Sequence, residues 1–319
     1  LKEVNPNVID TINSLSEIAQ DDNEIINDSI DEILGKISDK NRINISKFLA
    51  HKISVQKRIV YNIFIKNNLD YDRKKIEKAI EKANKEDLGI YIVTLDGKEV
   101  GAGEYEKKFT IQSISKVITL MLAILDNGKD RVFSRVGVEP TGDSFNSIVS
   151  LERKPSKKPF NPKVNSGAIL TTSLIEGDSE EEKFERILEF TRKVTGNDDI
   201  QLNEDVYLSE KETGDRNRAL AYFMKSNGVI EGNIDDILDL YFKQCALEVN
   251  AKDLARFGAM LANDGVLPWN GERVISREIC RIIKTIMVTC GMYDDSGKFA
   301  VHIGIPAKSG VGGGIMAAV

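Results

Sequence analysis

Histidine and cysteine are nearly missing from this chain. Two histidines, His51 and His302, and three cysteines, Cys245, Cys280 and Cys290, are spread over 319 residues. Two histidines so far apart do not supply a convincing zinc site. A Ser-His-Asp triad would have to use one of them, and neither lies in a recognisable motif. No CxxC pair occurs and the cysteine count is odd. Thiols packed as small apolar groups in a reducing compartment are expected, not a disulfide framework. No apolar run reaches the ~18 residues that a membrane span needs. The opening "LKEVNPNVIDTI" carries no signal-peptide pattern, which makes the cytoplasm the expected location. Positive charge is not in excess either. Lys plus Arg number 44 against 50 Asp plus Glu, a net charge of -6, which argues against a nucleic-acid footprint.

What is present fits an ordinary globular chain, with 41% hydrophobic and 29% charged residues. Residues 1–86 read as a charge-rich helical region. "IDTINSLSEI" and "INDSIDEILGKI" space apolar residues by three and four, and Ile76, Ala79, Ile80 and Ala83 share a stripe. "DKNRINISKFLA" begins like a calcium loop, with Asp39 and Asn41 in early positions. Asn44 replaces its sixth-position glycine and Ala50 its twelfth-position glutamate, so a helix-turn-helix without calcium is expected. The pattern changes at Leu88. "GIYIVTLDGKEVGAG" alternates, turns at Asp96-Gly97 and alternates again, which predicts a hairpin. A helix follows from Ser113, with Gly128 as its C-cap. Residues 130–270 are mostly helical patterns, and strand-like text returns in "KFAVHIGIP" and "GGGIMAAV". A sheet built from both ends with helices between them is an α+β arrangement.

"TIQSISKVITLMLAIL", residues 110–125, sets Ser113 and Lys116 three apart, on one face of a helix. A serine hydroxyl is a poor nucleophile until a base takes its proton. A lysine kept neutral by burial can be that base, because desolvation lowers its pKa. Alone, S-x-x-K is a common pattern. Its bland reading is a polar helix start with Lys116 snorkelling to solvent and Ser113 or Ser115 capping. "PAKSGVGGGI", residues 306–315, shifts the balance. It puts Lys308-Ser309-Gly310 after strand-like text, and glycines let a ligand approach the backbone. Penicillin-recognising enzymes pair S-x-x-K with a K-T-G strand in the same order. Together the two stretches favour a serine-acylating site.

The blocks "FTIQSISK", "VGVEPTGDSFNS", "PFNPKVNSGAI", "SEKETGDRNRALAYFMKSNG", "DLYFKQCALEV", "LANDGVLPWNGERV", "VTCGMYDDSGKFA" and "GIPAKSGVGGGI" resemble the serine-dependent glutaminase family, in its order, over about residues 88–319. The resemblance implies a β-lactamase-like and transpeptidase-like fold: a mainly antiparallel sheet flanked by helices, with an inserted helical subdomain at about 130–270 of a catalytic domain at 87–319. The region before it vaguely resembles EF-hand-like helices. The implied activity is hydrolysis of L-glutamine to L-glutamate and ammonia, with no metal or organic cofactor, in a homo-oligomer (dimer or tetramer) of the cytoplasm, or of the mitochondrial matrix if the source is eukaryotic.

By the same resemblance Ser113 is the nucleophile, Lys116 its general base, and Tyr293 a tyrosine beside the nucleophile that shares the proton transfers. Asn165, Glu210, Asn217 and Tyr241 hold the substrate, and the Val311 backbone completes an oxyanion hole with the Ser113 N–H. Read without the family, Glu210 is a solvated carboxylate, the asparagines are loop or cap residues, and the tyrosines are core or turn-flanking aromatics. The family's "YIP" segment is replaced here by "IEKAIEKANKEDLG", with Ile76 near the tyrosine slot and Tyr71 nearby, and the chain stops at "GGGIMAAV" where the family continues. Two other functions fit the text: a catalytically impaired amino-acid-binding or scaffold protein on this fold, and a penicillin-recognising serine enzyme.

Overall fold

The computed structural model describes residues 88–319 and the backbone of two short strands, β1 (Ser38–Asp39) and β2 (Arg42–Ile43). These pair antiparallel, Ser38 with Ile43 and Asp39 with Arg42, so Asp39, Arg42 and Ile43 of the calcium-like stretch are strand and not part of the helix-turn-helix expected there. The helices expected in residues 1–86, with Tyr71, Ile76 and His51, lie outside the described residues. The chain divides into two units, Leu1–Leu88 and Gly89–Val319.

The second unit begins with the expected hairpin. Strand β3 (Gly89–Val93) pairs antiparallel with β4 (Glu99–Gly103), Gly89 facing Gly103 and Val93 facing Glu99. Its loop closes by Gly97 N–H donating to Thr94 O at 2.9 Å, with Gly97 at φ 79°. That left-handed conformation is why a glycine stands there. Strand β5 (Phe109–Thr110) leads into a single 3-10 turn, Gln112–Ile114, and then helix α1 (Ser115–Asn127). Every α1 residue from Ser115 to Ile124 is buried, and Gly128, at φ 76°, ends the helix by returning its N–H to Ile124 O.

Further helices follow and cover α1 and each other: α2 (Lys129–Arg135), α3 (Val149–Arg153), α4 (Asn165–Ser173), α5 (Glu180–Thr195), α6 (Glu204–Thr213), α7 (Asp215–Ser226), α8 (Ile234–Cys245), α9 (Ala251–Ala262) and α10 (Arg277–Cys290). Side-chain caps fix several starts, as expected for orphan N–H groups at helix ends. Ser179, Asn203, Asn233 and Ser276 cap α5, α6, α8 and α10, and Asn250 with Asp253 forms a capping box on α9. Between α8 and α9, β6 (Glu248–Val249) pairs antiparallel with β5.

The expected strand before the final hairpin does not form. "KFAVHIGIP" is not strand: Ser296–His302 is a short helix, α11, and Ile303–Pro306 is irregular. The alternation suggested a half-buried strand, but Val301 is 82% exposed. Local bonds decide instead. Ser296 Oγ donates to Tyr293 O at 2.8 Å and accepts from Met292 N–H at 3.0 Å, and Gly304 N–H returns to Phe299 O. The final hairpin starts later, with β7 (Ala307–Ser309) paired to β8 (Ile315–Ala317).

The ladders are two-stranded and antiparallel, so the first and last hairpins do not share a hydrogen-bonded edge among the described residues. Helix α9 joins them, packing against β3 and β8. Glu99 on β4 strengthens that join. It accepts Arg256 Nε at 2.7 Å from α9 and Tyr91 Oη at 2.7 Å from β3.

Candidate active site

Ser113 lies in the 3-10 turn at the head of α1, half-buried. The residue before it, Gln112, is held at φ 49°, a left-handed conformation that costs about 1 kcal/mol or more for a non-glycine residue. Ser115 Oγ donates to Gln112 O at 2.7 Å and braces that turn.

One helical turn on, Lys116 is 0% exposed. Its Nζ donates to Asn165 Oδ1 at 2.6 Å and to Lys163 O at 3.1 Å, both at the start of α4. The Phe145 ring covers it, 5.9 Å from Nζ. Burial lowers the Lys116 pKa to about 8, while the Cys245 and Glu210 charges act the other way. The snorkelling reading of Lys116 is therefore wrong for this structure.

The neighbours come from distant parts of the sequence. Asn165 Nδ2 donates to Asn217 Oδ1 at 2.9 Å, linking α4 to α7. Glu210, on α6, is close enough for its charge to act on Lys116, Tyr241 and Cys245. Tyr241 is buried on α8, and burial pushes its phenol well above the usual value. The Tyr293 ring packs tilted against Phe145, 5.0 Å between centres, and Tyr293 is itself held at φ 51°. Burial raises the Tyr293 phenol, and the Ser113 hydroxyl beside it acts in the opposite direction. Tyr293 Oη is buried without a hydrogen-bond partner of normal geometry. A buried polar atom left so is costly, and a site that completes its bonds only with substrate is one reason for it.

Seven of the eight expected site residues thus share one region. Val311 stands apart, 72% exposed at the tip between β7 and β8. The glycines around it make the approach. A Cβ on Gly312 would lie 2.4 Å from Thr110 O and one on Gly310 2.9 Å from Ile111 O, so the tip's main chain abuts the segment leading to Ser113.

Sequence reasoning missed Lys163 and gave Lys308 no role. Lys163 is buried, and its Nζ donates to Lys116 O at 3.1 Å, so each of these lysines binds the other's carbonyl. Burial lowers Lys163 to about 7, with Cys290 raising it and Lys116 lowering it further. Lys163, Phe145, Cys290 and Tyr293 line a cavity of about 240 Å³. Lys308 is also buried, 4.3 Å over the Tyr293 ring, and burial holds its pKa well below the usual value. No local signal of the kind that singled out Lys116 marks Lys163, because "PFNPKV", with two prolines and an asparagine, reads as a loop. Among the described residues, no cluster of histidine, cysteine and carboxylate side chains could hold a metal ion.

A family model described as Glutaminase matches residues 74–319. Glutaminase 2 of Clostridium perfringens (strain 13 / Type A) is 93% identical over 259 residues, covering 80% of this chain and 85% of that protein. The chain belongs to the serine-dependent glutaminase family. A glutaminase of Clostridium botulinum (strain Hall) is 60% identical over 264 residues, covering 80% of this chain and 87% of that protein. Among solved structures, a Bacillus subtilis glutaminase in covalent complex with 5-oxo-L-norleucine, formed by reaction with 6-diazo-5-oxo-L-norleucine, is 40% identical. It covers 75% of this chain and 76% of its own, with a TM-score of 0.67. The glutaminase neighbours bring with them the fold class expected from sequence, α+β and β-lactamase-like.

Proposed function

We propose that this chain hydrolyses the side-chain amide of L-glutamine to L-glutamate and ammonia through a glutamyl-serine intermediate. The observation that carries this reading is the environment of Lys116. A neutral amine has two N–H bonds and one lone pair. Asn165 Oδ1 and Lys163 O take both N–H bonds, which leaves the lone pair to accept a proton. Ser113 Oγ attacks the amide carbon and passes its proton to Lys116. The Ser113 and Val311 N–H groups stabilise the oxyanion. The C–N bond breaks as Lys116 or Tyr293 returns a proton to the leaving nitrogen, releasing ammonia. Water then attacks the ester with the same groups in reverse, freeing Ser113 and glutamate. Glu210 faces the substrate ammonium, and Asn165, Asn217 and Tyr241 hold its head group. These roles use no metal or organic cofactor.

In this reading residues 87–319 are the catalytic domain and about 130–270 its helical subdomain, with residues 1–86 as a separate N-terminal region. Assembly is into a homodimer or homotetramer of the cytoplasm, which light scattering and fractionation test. Among the described residues, no helix is long and apolar enough to cross a membrane. The chemistry is tested by coupled ammonia release from L-glutamine, L-asparagine and D-glutamine. L-Glutamine is expected to be turned over fastest. Ser113→Ala is expected to lose at least about a thousandfold in kcat while melting like the wild type. Near-normal turnover by that variant refutes the nucleophile.

A further inference from the structure

Helix α6 carries Glu210 but buries little apolar surface. Of its ten residues only Tyr207 is buried, and Leu208 is exposed. Apolar burial, the usual anchor of a helix, is therefore nearly absent. Polar contacts with one carboxylate on the neighbouring helix α8 take its place. Tyr207 Oη donates to both oxygens of Asp239, at 2.7 and 2.9 Å. Lys211 Nζ pairs with Asp239 and also donates to Tyr207 Oη at 3.1 Å. Lys243 Nζ reaches Asp239 at 3.1 Å and Glu180, on α5, at 2.5 Å. The Lys211 and Lys243 ammonium groups stand 5.5 and 5.6 Å from the Tyr207 ring centre.

The sequence spacing turns this cluster toward the site. Tyr207, Glu210 and Lys211 are i, i+3 and i+4 on α6, neighbours on one helical face. Asp239 on α8 grips α6 at Tyr207 and Lys211, and the Glu210 charge acts on Tyr241, two residues further along α8. We infer that Asp239 is a positioning residue for substrate recognition: by holding Tyr207 and Lys211 it sets where the Glu210 carboxylate meets the substrate ammonium. Burial works against the Asp239 charge, but the bonds from Lys211, Tyr207 and Lys243 hold its carboxyl well below the usual range, so the grip is present throughout neutral pH.

This inference rests on the head-group role proposed for Glu210, and the experiment separates the two. Steady-state kinetics with L-glutamine are measured for Asp239→Asn, Glu210→Gln and the double variant of the full chain. Asp239→Asn is expected to raise KM about tenfold with kcat within about twofold. Glu210→Gln is expected to raise KM further. Adding Asp239→Asn to it is expected to change little, because a residue acting through Glu210 has nothing left to act on. Full additivity, or an unchanged KM in Asp239→Asn with only a lower melting temperature, overturns the positioning role. A raised KM in Glu210→Gln beside a normal one in Asp239→Asn sinks this inference alone. A normal KM in Glu210→Gln removes the head-group reading and this inference with it. Should Asp239→Asn fail to fold, Lys211→Met, at a half-exposed side chain, takes its place in the same cycle. A KM increase of about threefold that vanishes on the Glu210→Gln background then supports the positioning role, and an unchanged or fully additive KM overturns it.

Discussion

Lys116 is legible in sequence because a lysine stands inside an apolar helix, and its function follows from what surrounds it in three dimensions. The structure adds two contributions that no local pattern could show: the acceptors at the start of α4 and the Phe145 ring over the amine. Both come from loop-like text, the acceptors from "PFNPKVN" and the ring from "GDSFNS". Lys163 was missed for that reason, since its burial arises from the fold and not from its own stretch of chain. The chemistry gives a signed expectation. Below a pKa of about 8 the Lys116 amine is protonated and has no lone pair to offer. The kcat/KM for L-glutamine should therefore fall about tenfold per pH unit below pH 8 and level off above it. Phe145→Ala admits water to the amine, which moves its pKa back toward that of free lysine and the acid limb to higher pH. A limb that stays in place in this variant shows that Phe145 does not set the dryness of the site.

At the scale of elements, the hairpin and the helix end are legible because their chemistry is local: Gly97 and Gly128 each need a positive φ, and each sits where its turn demands. "KFAVHIGIP" misleads because alternation predicts a strand only if one face finds a partner, and Val301 finds none. Packing between elements is not legible at all. Gly167, inside α4, shows what that packing does. A Cβ there would stand 1.9 Å from Asn161 O. The turn from Asn161 to Asn165 is thus pressed directly onto the helix, and that turn carries both acceptors of Lys116. Gly167→Ala is expected to cost about 1–3 kcal/mol by overpacking and to lower kcat at the same time, since the turn is the part that must yield. Thermal melts and initial rates on one preparation check this. A destabilised variant with wild-type kcat separates the turn from the chemistry.

For the molecule as a whole, the order of eight separated sequence blocks was enough for the fold class. What those blocks could not convey is that Lys116, Lys163 and Lys308 are buried together. Their consequence is global. Each has a folded pKa below that of an exposed lysine, chiefly through burial, so from about pH 7 to about pH 8.5, where the buried thiols begin to act the other way, these lysines bind more protons in the unfolded chain than in the folded one. Stability must rise with pH wherever that holds. The stabilisation is withheld at neutral pH and recovered as the unfolded lysines lose their protons. Thermal midpoints are therefore expected to climb from about pH 7 to about pH 8.5, above which the buried Cys245, Cys280 and Cys290 thiols, pushed up by burial, oppose the rise. Lys163→Met keeps the volume and removes one of the three sites, so its midpoint should lie above the wild type at pH 7 and its curve should be flatter. Parallel curves for the two proteins would show that the Lys163 amine is protonated in the folded state, and the neutral cluster that the Lys116 mechanism depends on would lose its support.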